Sequence, residues 1–128
     1  MGLLGGLFKK EKHKGYFEIQ ISSITRLNNS AVKVDFDIPD KLSTKFRYAP
    51  GQYINMLKEI KGKEERRSYS ICSALDEPLS IGVKYVENGI VSNWFVNEAK
   101  EGDILYLSSP QGNFTIPTGA NTIVTIAA

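Results

Sequence analysis

Phe17-Glu18-Ile19-Gln20-Ile21 and, beyond the polar turn Asn28-Asn29-Ser30, Val32-Lys33-Val34-Asp35-Phe36-Asp37-Ile38 alternate apolar and polar residues. A period of two is the mark of a strand with one buried face, and two such strands joined by a turn rich in Asn and Ser predict an antiparallel hairpin. The same reading extends outward to residues 52–57, 64–72, 79–86 and 103–108. Pro50-Gly51, Lys61-Gly62 and Pro110-Gln111-Gly112 serve as breakers. Six antiparallel strands of this length predict a small Greek-key barrel. The fold class is therefore mainly β, with one short helix where the period changes: Ile90, Val91, Trp94, Phe95 and Ala99 fall at helical spacing. The helix is expected over residues 92–100, with Gly102 as its stop.

The chain has 128 residues, enough for one domain whose folding hides about two-thirds of its unfolded surface. Sixteen Lys and Arg against fourteen Asp and Glu leave a net charge of +2, too balanced for a binder driven mainly by nucleic-acid phosphates. One cysteine and one histidine exclude an internal disulfide framework, a cysteine-ligated iron-sulfur cluster and a zinc knuckle, so no metal site is expected. A lone cysteine also suits a reducing, cytoplasmic setting. Residues 1–14 place Leu3, Leu4, Leu7 and Phe8 ahead of Lys9, Lys10, Lys12, His13 and Lys14, the reverse of a secretory signal, and read as a flexible basic leader. No run approaches the roughly 18 apolar residues of a membrane span.

At the other end, Thr122-Ile123-Val124-Thr125-Ile126-Ala127-Ala128 is a continuous apolar run. Such runs form strands buried on both faces of a parallel sheet. Residues 15–118 are thus expected to be the barrel, and residues 119–128 the first strand of a truncated α/β nucleotide-binding domain.

The densest chemical signal is Arg66-Arg67-Ser68-Tyr69-Ser70-Ile71-Cys72-Ser73, a strand carrying a guanidinium, a phenol and hydroxyls. Period two sets Arg67 and Tyr69 on one face and Arg66 on the other. A cation beside an aromatic ring suits a ligand with a phosphate at one end and a flat π-system at the other. Ser70 falls on the opposite face and reaches the same ligand only if the strand ends or bends there. Val83-Lys84-Tyr85-Val86-Glu87-Asn88-Gly89-Ile90-Val91-Ser92 then runs from a strand through a glycine turn into the helix. Free N–H groups around Ile90, Val91 and Ser92 would favour a pyrophosphate, and Gly89 would permit close approach. Trp94 and Phe95 read as core. On these residues alone a second reading stays open: an oligonucleotide-binding-type barrel in which Arg66, Arg67, Tyr69 and Tyr85 engage single-stranded nucleic acid. A third is a docking domain with a decayed site.

Five motifs in register now resemble a known family, the flavin domain of ferredoxin-NADP reductase-like oxidoreductases. They are Tyr48-Ala49-Pro50-Gly51-Gln52-Tyr53, Arg67-Ser68-Tyr69-Ser70, the Gly89 to Ser92 helix start, Glu101-Gly102-Asp103, and Pro110-Gln111-Gly112-Asn113-Phe114. Through Arg66-Arg67-Ser68-Tyr69-Ser70-Ile71-Cys72-Ser73 and Ser92-Asn93-Trp94 the resemblance is strongest to reductase components of bacterial oxygenases, phenylacetyl-CoA epoxidase reductase subunits among them.

The resemblance implies FAD, in preference to FMN, as cofactor. It implies that Arg67 pairs with the flavin phosphates, that Tyr69 lies against the isoalloxazine ring, and that Ser70 acts catalytically near the atom where hydride enters. It places Ser68 within the same motif, Val83, Lys84 and Tyr85 along the pyrimidine or ribityl side, and Gly89, Ile90, Val91 and Ser92 at the pyrophosphate. It further implies a complete protein that takes hydride from NAD(P)H and passes electrons to an iron-sulfur domain, a ferredoxin or an oxygenase component. A nicotinamide-binding domain and an iron-sulfur cluster are both absent from this sequence, and nucleic acid is not an expected partner.

Overall fold

The computed structural model describes residues 13–124. Its strands are β1 (Tyr16–Asn28), β2 (Ala31–Asp37), β3 (Tyr53–Ile60), β4 (Lys63–Ser70), β5 (Ser80–Lys84) and β6 (Ile104–Ser108). All pairings are antiparallel, in the order β4-β3-β6-β1-β2-β5. The last strand returns to lie between β1 and β3.

Local chemistry sets the hairpins. Asn28 turns its side-chain oxygen onto the Ser30 N–H at 2.8 Å, bracketing the β1–β2 turn. Lys61 and Gly62 both have positive φ (51° and 79°), as a two-residue primed turn between β3 and β4 requires. The alternating residues Ile19, Ile21, Val32, Val34 and Phe36 are all buried, as their spacing demands.

The sheet curls into a half-barrel, leaving β4 and β5 as its two edges. They meet at one bridge, Ile71 with Ile81, beside which the Cys72 N–H donates to the Ser80 carbonyl at 2.9 Å. Along the rest of their length the edges stay apart and form a seam.

A helical segment closes the end of the half-barrel. It begins as α1 (Ile90–Asn93) and continues as a π-turn over Trp94–Glu98. Val91, Trp94, Phe95 and Val96 are buried in the core, so Trp94 and Phe95 are core residues as the sequence suggests. The expected bounds of 92–100 are corrected at both ends. The helix starts directly after Gly89 and stops before Ala99, which is extended; Gly102, at φ 93°, builds the next turn, its N–H reaching the Ile21 carbonyl.

A second short helix was not expected. Asp40–Phe46 forms a 3-10 helix after Pro39, seating Phe46 edge-on against Phe17 at 5.6 Å. With Leu42 and Phe46 its only large apolar residues, it has too little periodicity to be read from sequence.

Of the terminal apolar run, residues 119–124 hold no strand and Ile123 and Val124 are exposed; residues 125–128 lie outside the described residues. The expected leader lies outside too, except for His13 and Lys14. His13 stacks on Tyr106 at 4.2 Å and approaches Glu64 at 3.5 Å, so this part of the leader is packed against the barrel. Among the described residues no helix is long and apolar enough to cross a membrane.

Two substitutions test this account by chemical denaturation. Phe95→Ala empties a site that is 1% exposed and is expected to cost about 3–5 kcal/mol. Gly51→Ala, at φ 99° with its new Cβ 1.7 Å from the Phe114 carbonyl oxygen, is expected to force that loop away, at a cost of more than about 1 kcal/mol. A Gly51→Ala stability equal to that of the parent would mean that this close approach is not required.

Candidate functional site

The motif residues gather along the seam. In β4 the odd-numbered residues face the interior and helix side: Glu65 is buried, Tyr69 is half-buried, and the Tyr69 ring meets Phe95 edge-on at 5.8 Å. Arg67 shares this face. Its Nη1 donates to Glu65 Oε2 at 3.3 Å and to the Arg66 carbonyl at 2.6 Å. Arg66 points the other way, stacked over Tyr16 at 5.5 Å and bonded to Glu64 at 3.1 Å. The four side chains of the nucleic-acid reading therefore do not form one strip.

Ser68 lies on the outer face, its hydroxyl hydrogen-bonded to the Asn55 side chain across the β3–β4 ladder. Ser70 is the last residue of β4 and is exposed. Beyond it the chain leaves β3, and Ile71 bridges to Ile81 on the opposite edge. Ser70 itself still pairs with Tyr53, so the alternation holds through it, on the face opposite Tyr69.

On the other side of the seam, Val83 is buried and can offer only its backbone, while Lys84 and Tyr85 are exposed. These residues pair with β2 along one edge alone, and Tyr85 N–H donates to the Ser30 carbonyl at 2.6 Å. Among the described residues, the second edge of β5 carries no strand beyond the Ile81 bridge.

Beneath the seam lies the helix start. Ile90 is partly exposed, whereas Val91 and Ser92 are buried. The first main-chain bond of the helix runs from the Asn93 N–H to the Gly89 carbonyl, so the N–H groups of residues 90–92 have no carbonyl one turn back to use. The Ser92 hydroxyl is occupied within the turn, accepting from the Val86 N–H at 3.1 Å and lying 3.3 Å from the Gly89 carbonyl. A Cβ at Gly89 would sit 2.5 Å from that hydroxyl oxygen and 3.0 Å from the Val86 carbonyl oxygen, so a side chain there would have to displace the Ser92 hydroxyl.

A cleft of about 280 Å³ joins the two parts, lined by Lys63 and Glu65 from β4 and by Asn88, Gly89, Ile90 and Asn93 from the helix start. Larger hollows of about 700 Å³ open elsewhere, one against the 3-10 helix near Phe46 and Tyr48 and one near His13 and Tyr106. Neither contains a motif residue from β4 or the helix start, and the chemistry favours the smaller cleft.

Burial raises the Tyr69 pKa above its ordinary value, with the nearby Arg67 charge opposing the rise. Its phenol is therefore neutral at physiological pH. Glu65 was missed in the sequence, although period two puts it on the face of Arg67 and Tyr69. Asn88, at φ 62°, was also missed, and its place just before Gly89 was the available signal.

A guanidinium, a neutral aromatic ring, an unpaired strand edge and unused helix N–H groups along one seam form a donor set that fits FAD. Among the described residues no cluster of His, Cys, Asp and Glu has the makings of a metal site.

Comparison with known proteins agrees. A family model described as an oxidoreductase FAD-binding domain matches residues 18–116. A component of the 1,2-phenylacetyl-CoA epoxidase from Escherichia coli is 31% identical over 100 residues, covering 77% of this chain and 28% of that protein. The ferredoxin reductase component of 3-ketosteroid-9-alpha-monooxygenase from Mycobacterium tuberculosis is 31% identical over 110 residues, covering 79% and 30% respectively. The chain thus spans less than a third of either relative. A ferredoxin NADP+ reductase from Neisseria gonorrhoeae, solved with bound FAD and NADP, superposes with a TM-score of 0.67 at 19% identity, over 77% of this chain and 39% of that one. By the family model's match over most of its length, the chain belongs to the oxidoreductase FAD-binding domain family.

Proposed function

We propose that this chain binds FAD across the seam, within a flavoprotein reductase that takes hydride from NAD(P)H and passes electrons to an iron-sulfur domain, a ferredoxin or an oxygenase component. The observation that carries the reading is one face of β4: Arg67 is paired with Glu65, which lines a cleft with Gly89 and Ile90 of the helix start, and Tyr69 packs on Phe95 of the same helical segment. The named relatives, a component of an epoxidase and the ferredoxin reductase component of a monooxygenase, support an oxygenase-type acceptor. The single cysteine supports operation in the reducing cytoplasm.

FAD, when bound, supplies the hydride acceptance and the release of single electrons. The protein's share is binding and orientation. Arg67 neutralises phosphate charge with a planar fork of donors, and the N–H groups of residues 90–92 add theirs without a side chain. Tyr69, braced by Phe95, gives the ring system a flat and uncharged neighbour. The unpaired edge at residues 83–85 offers main-chain groups to the polar rim of the ligand. Ser70, at the end of its strand, is the hydroxyl placed to hydrogen-bond near the hydride-accepting atom.

Purified protein is expected to be yellow, or to become so with added FAD, and to release about one FAD per chain on heating. A colourless preparation that ignores added FAD overturns the proposal. Arg67→Ala is expected to weaken FAD binding by about 2 kcal/mol or more, roughly 30-fold. Arg66→Ala, altering the opposite face, is expected to leave the dissociation constant within about threefold. Equal losses at the two positions in a fluorescence titration would refute the phosphate role of Arg67.

The raised Tyr69 pKa has its own consequence. The unfolded phenol ionises near its ordinary value of 10.0 and the folded one above it. The stabilisation is complete below that pH and is lost as pH rises through the folded value. Absorbance titration at alkaline pH is expected to reveal one late tyrosine, missing in Tyr69→Phe.

A further inference from the structure

Glu65 stands apart from every other charged side chain in the structure. Among the described residues it is the only charged one that is fully buried, at 7% exposure, and it lines the cleft beside Gly89 and Ile90. Its carboxylate meets Arg67 through a single contact, Oε2 to Nη1 at 3.3 Å. Arg67 spends Nη1 on Glu65 and on the Arg66 carbonyl, and the structure gives its Nε and Nη2 groups no partner among the described residues. An anion that engages Arg67 therefore shares the guanidinium with a fixed negative charge, and that charge has no exposed position to retreat to.

The penalty depends on how much charge the incoming phosphate concentrates on one phosphorus. A terminal phosphate monoester, as in FMN, carries about −1.5 to −2 near neutral pH. In FAD the same phosphate is esterified on both sides through the pyrophosphate, and each phosphorus carries about one charge. A carboxylate beside Arg67 repels the first more than the second.

Resting on the flavin-phosphate reading above, we propose that Glu65 is a specificity-determining residue. Its buried carboxylate rations the positive charge of Arg67, so that the Glu65–Arg67 pair accepts the pyrophosphate diester of FAD and disfavours the terminal dianion of FMN. Glu65 touches no reacting atom in this scheme and acts through Arg67 and through the charge of the cleft.

The test is a pair of fluorescence titrations, FAD and FMN, on the full chain and on three variants whose folding is followed by thermal melting. E65Q removes the charge while keeping the shape, and E65M is a second neutral variant of similar volume. E65D keeps the charge. In E65Q and E65M, FMN is expected to bind about tenfold more tightly, with FAD changing by less than about threefold. E65D is expected to keep the parent's preference for FAD. A ratio of FAD to FMN affinity that is unchanged in the neutral variants, or an equal loss for both flavins, overturns the role of Glu65 and leaves the flavin site standing. A parent chain that binds neither flavin overturns the site itself.

Discussion

A curled antiparallel sheet that stops short of closure must do something with two rows of unpaired main-chain donors and acceptors, and the rest of this molecule follows from that requirement. Exposed edges invite uncontrolled pairing with other chains. Here the edges β4 and β5 touch at one bridge, Ile71 with Ile81, and then diverge over the helix at residues 90–98. Arg67 and Tyr69 belong to one bank, residues 83–85 to the other, and Gly89 to Ser92 to the floor.

The floor is held more firmly than the banks. Phe95 is buried under the sheet and also braces Tyr69, so one aromatic residue links the hydrophobic core to the aromatic side of the seam. Lys58 lies over Trp94 at 5.4 Å and donates to the Ile104 carbonyl, fixing the same helix from β3. At the far end, the Gln52 side chain donates to the Gly112 carbonyl, and Tyr53 exchanges main-chain bonds with Gln111. The Pro-Gly-Gln-Tyr and Pro-Gln-Gly segments thus act as architecture, seating β3 against the loop after β6.

Much of this was legible in the chain because it rests on period and punctuation. The strict alternation in β1 and β2, the Lys61-Gly62 turn and the shared face of Arg67 and Tyr69 all follow from a repeat of two. What escaped has physical reasons. The helix bounds shifted because the helical spacing runs from Ile90 to Ala99 and by itself marks neither the first turn nor the extended residue that ends it. The 3-10 helix has no repeat long enough to detect. The burial of Glu65 was hidden by composition: a run of Lys63, Glu64, Glu65, Arg66 and Arg67 reads as a solvated ribbon, yet one acid in it lies beneath the sheet. The resemblance to a known family came from five short motifs, two of which, around Gln52 and around Gly112, are neighbours in space.

The Ser92 hydroxyl turns inward to fasten the Val86 N–H and the Gly89 carbonyl. Recognition at the helix start is thereby written in the path of the main chain rather than in its side groups. A different side chain at Ile90 leaves those main-chain groups where they are, whereas one at Gly89 would press on the Ser92 hydroxyl that fastens the turn.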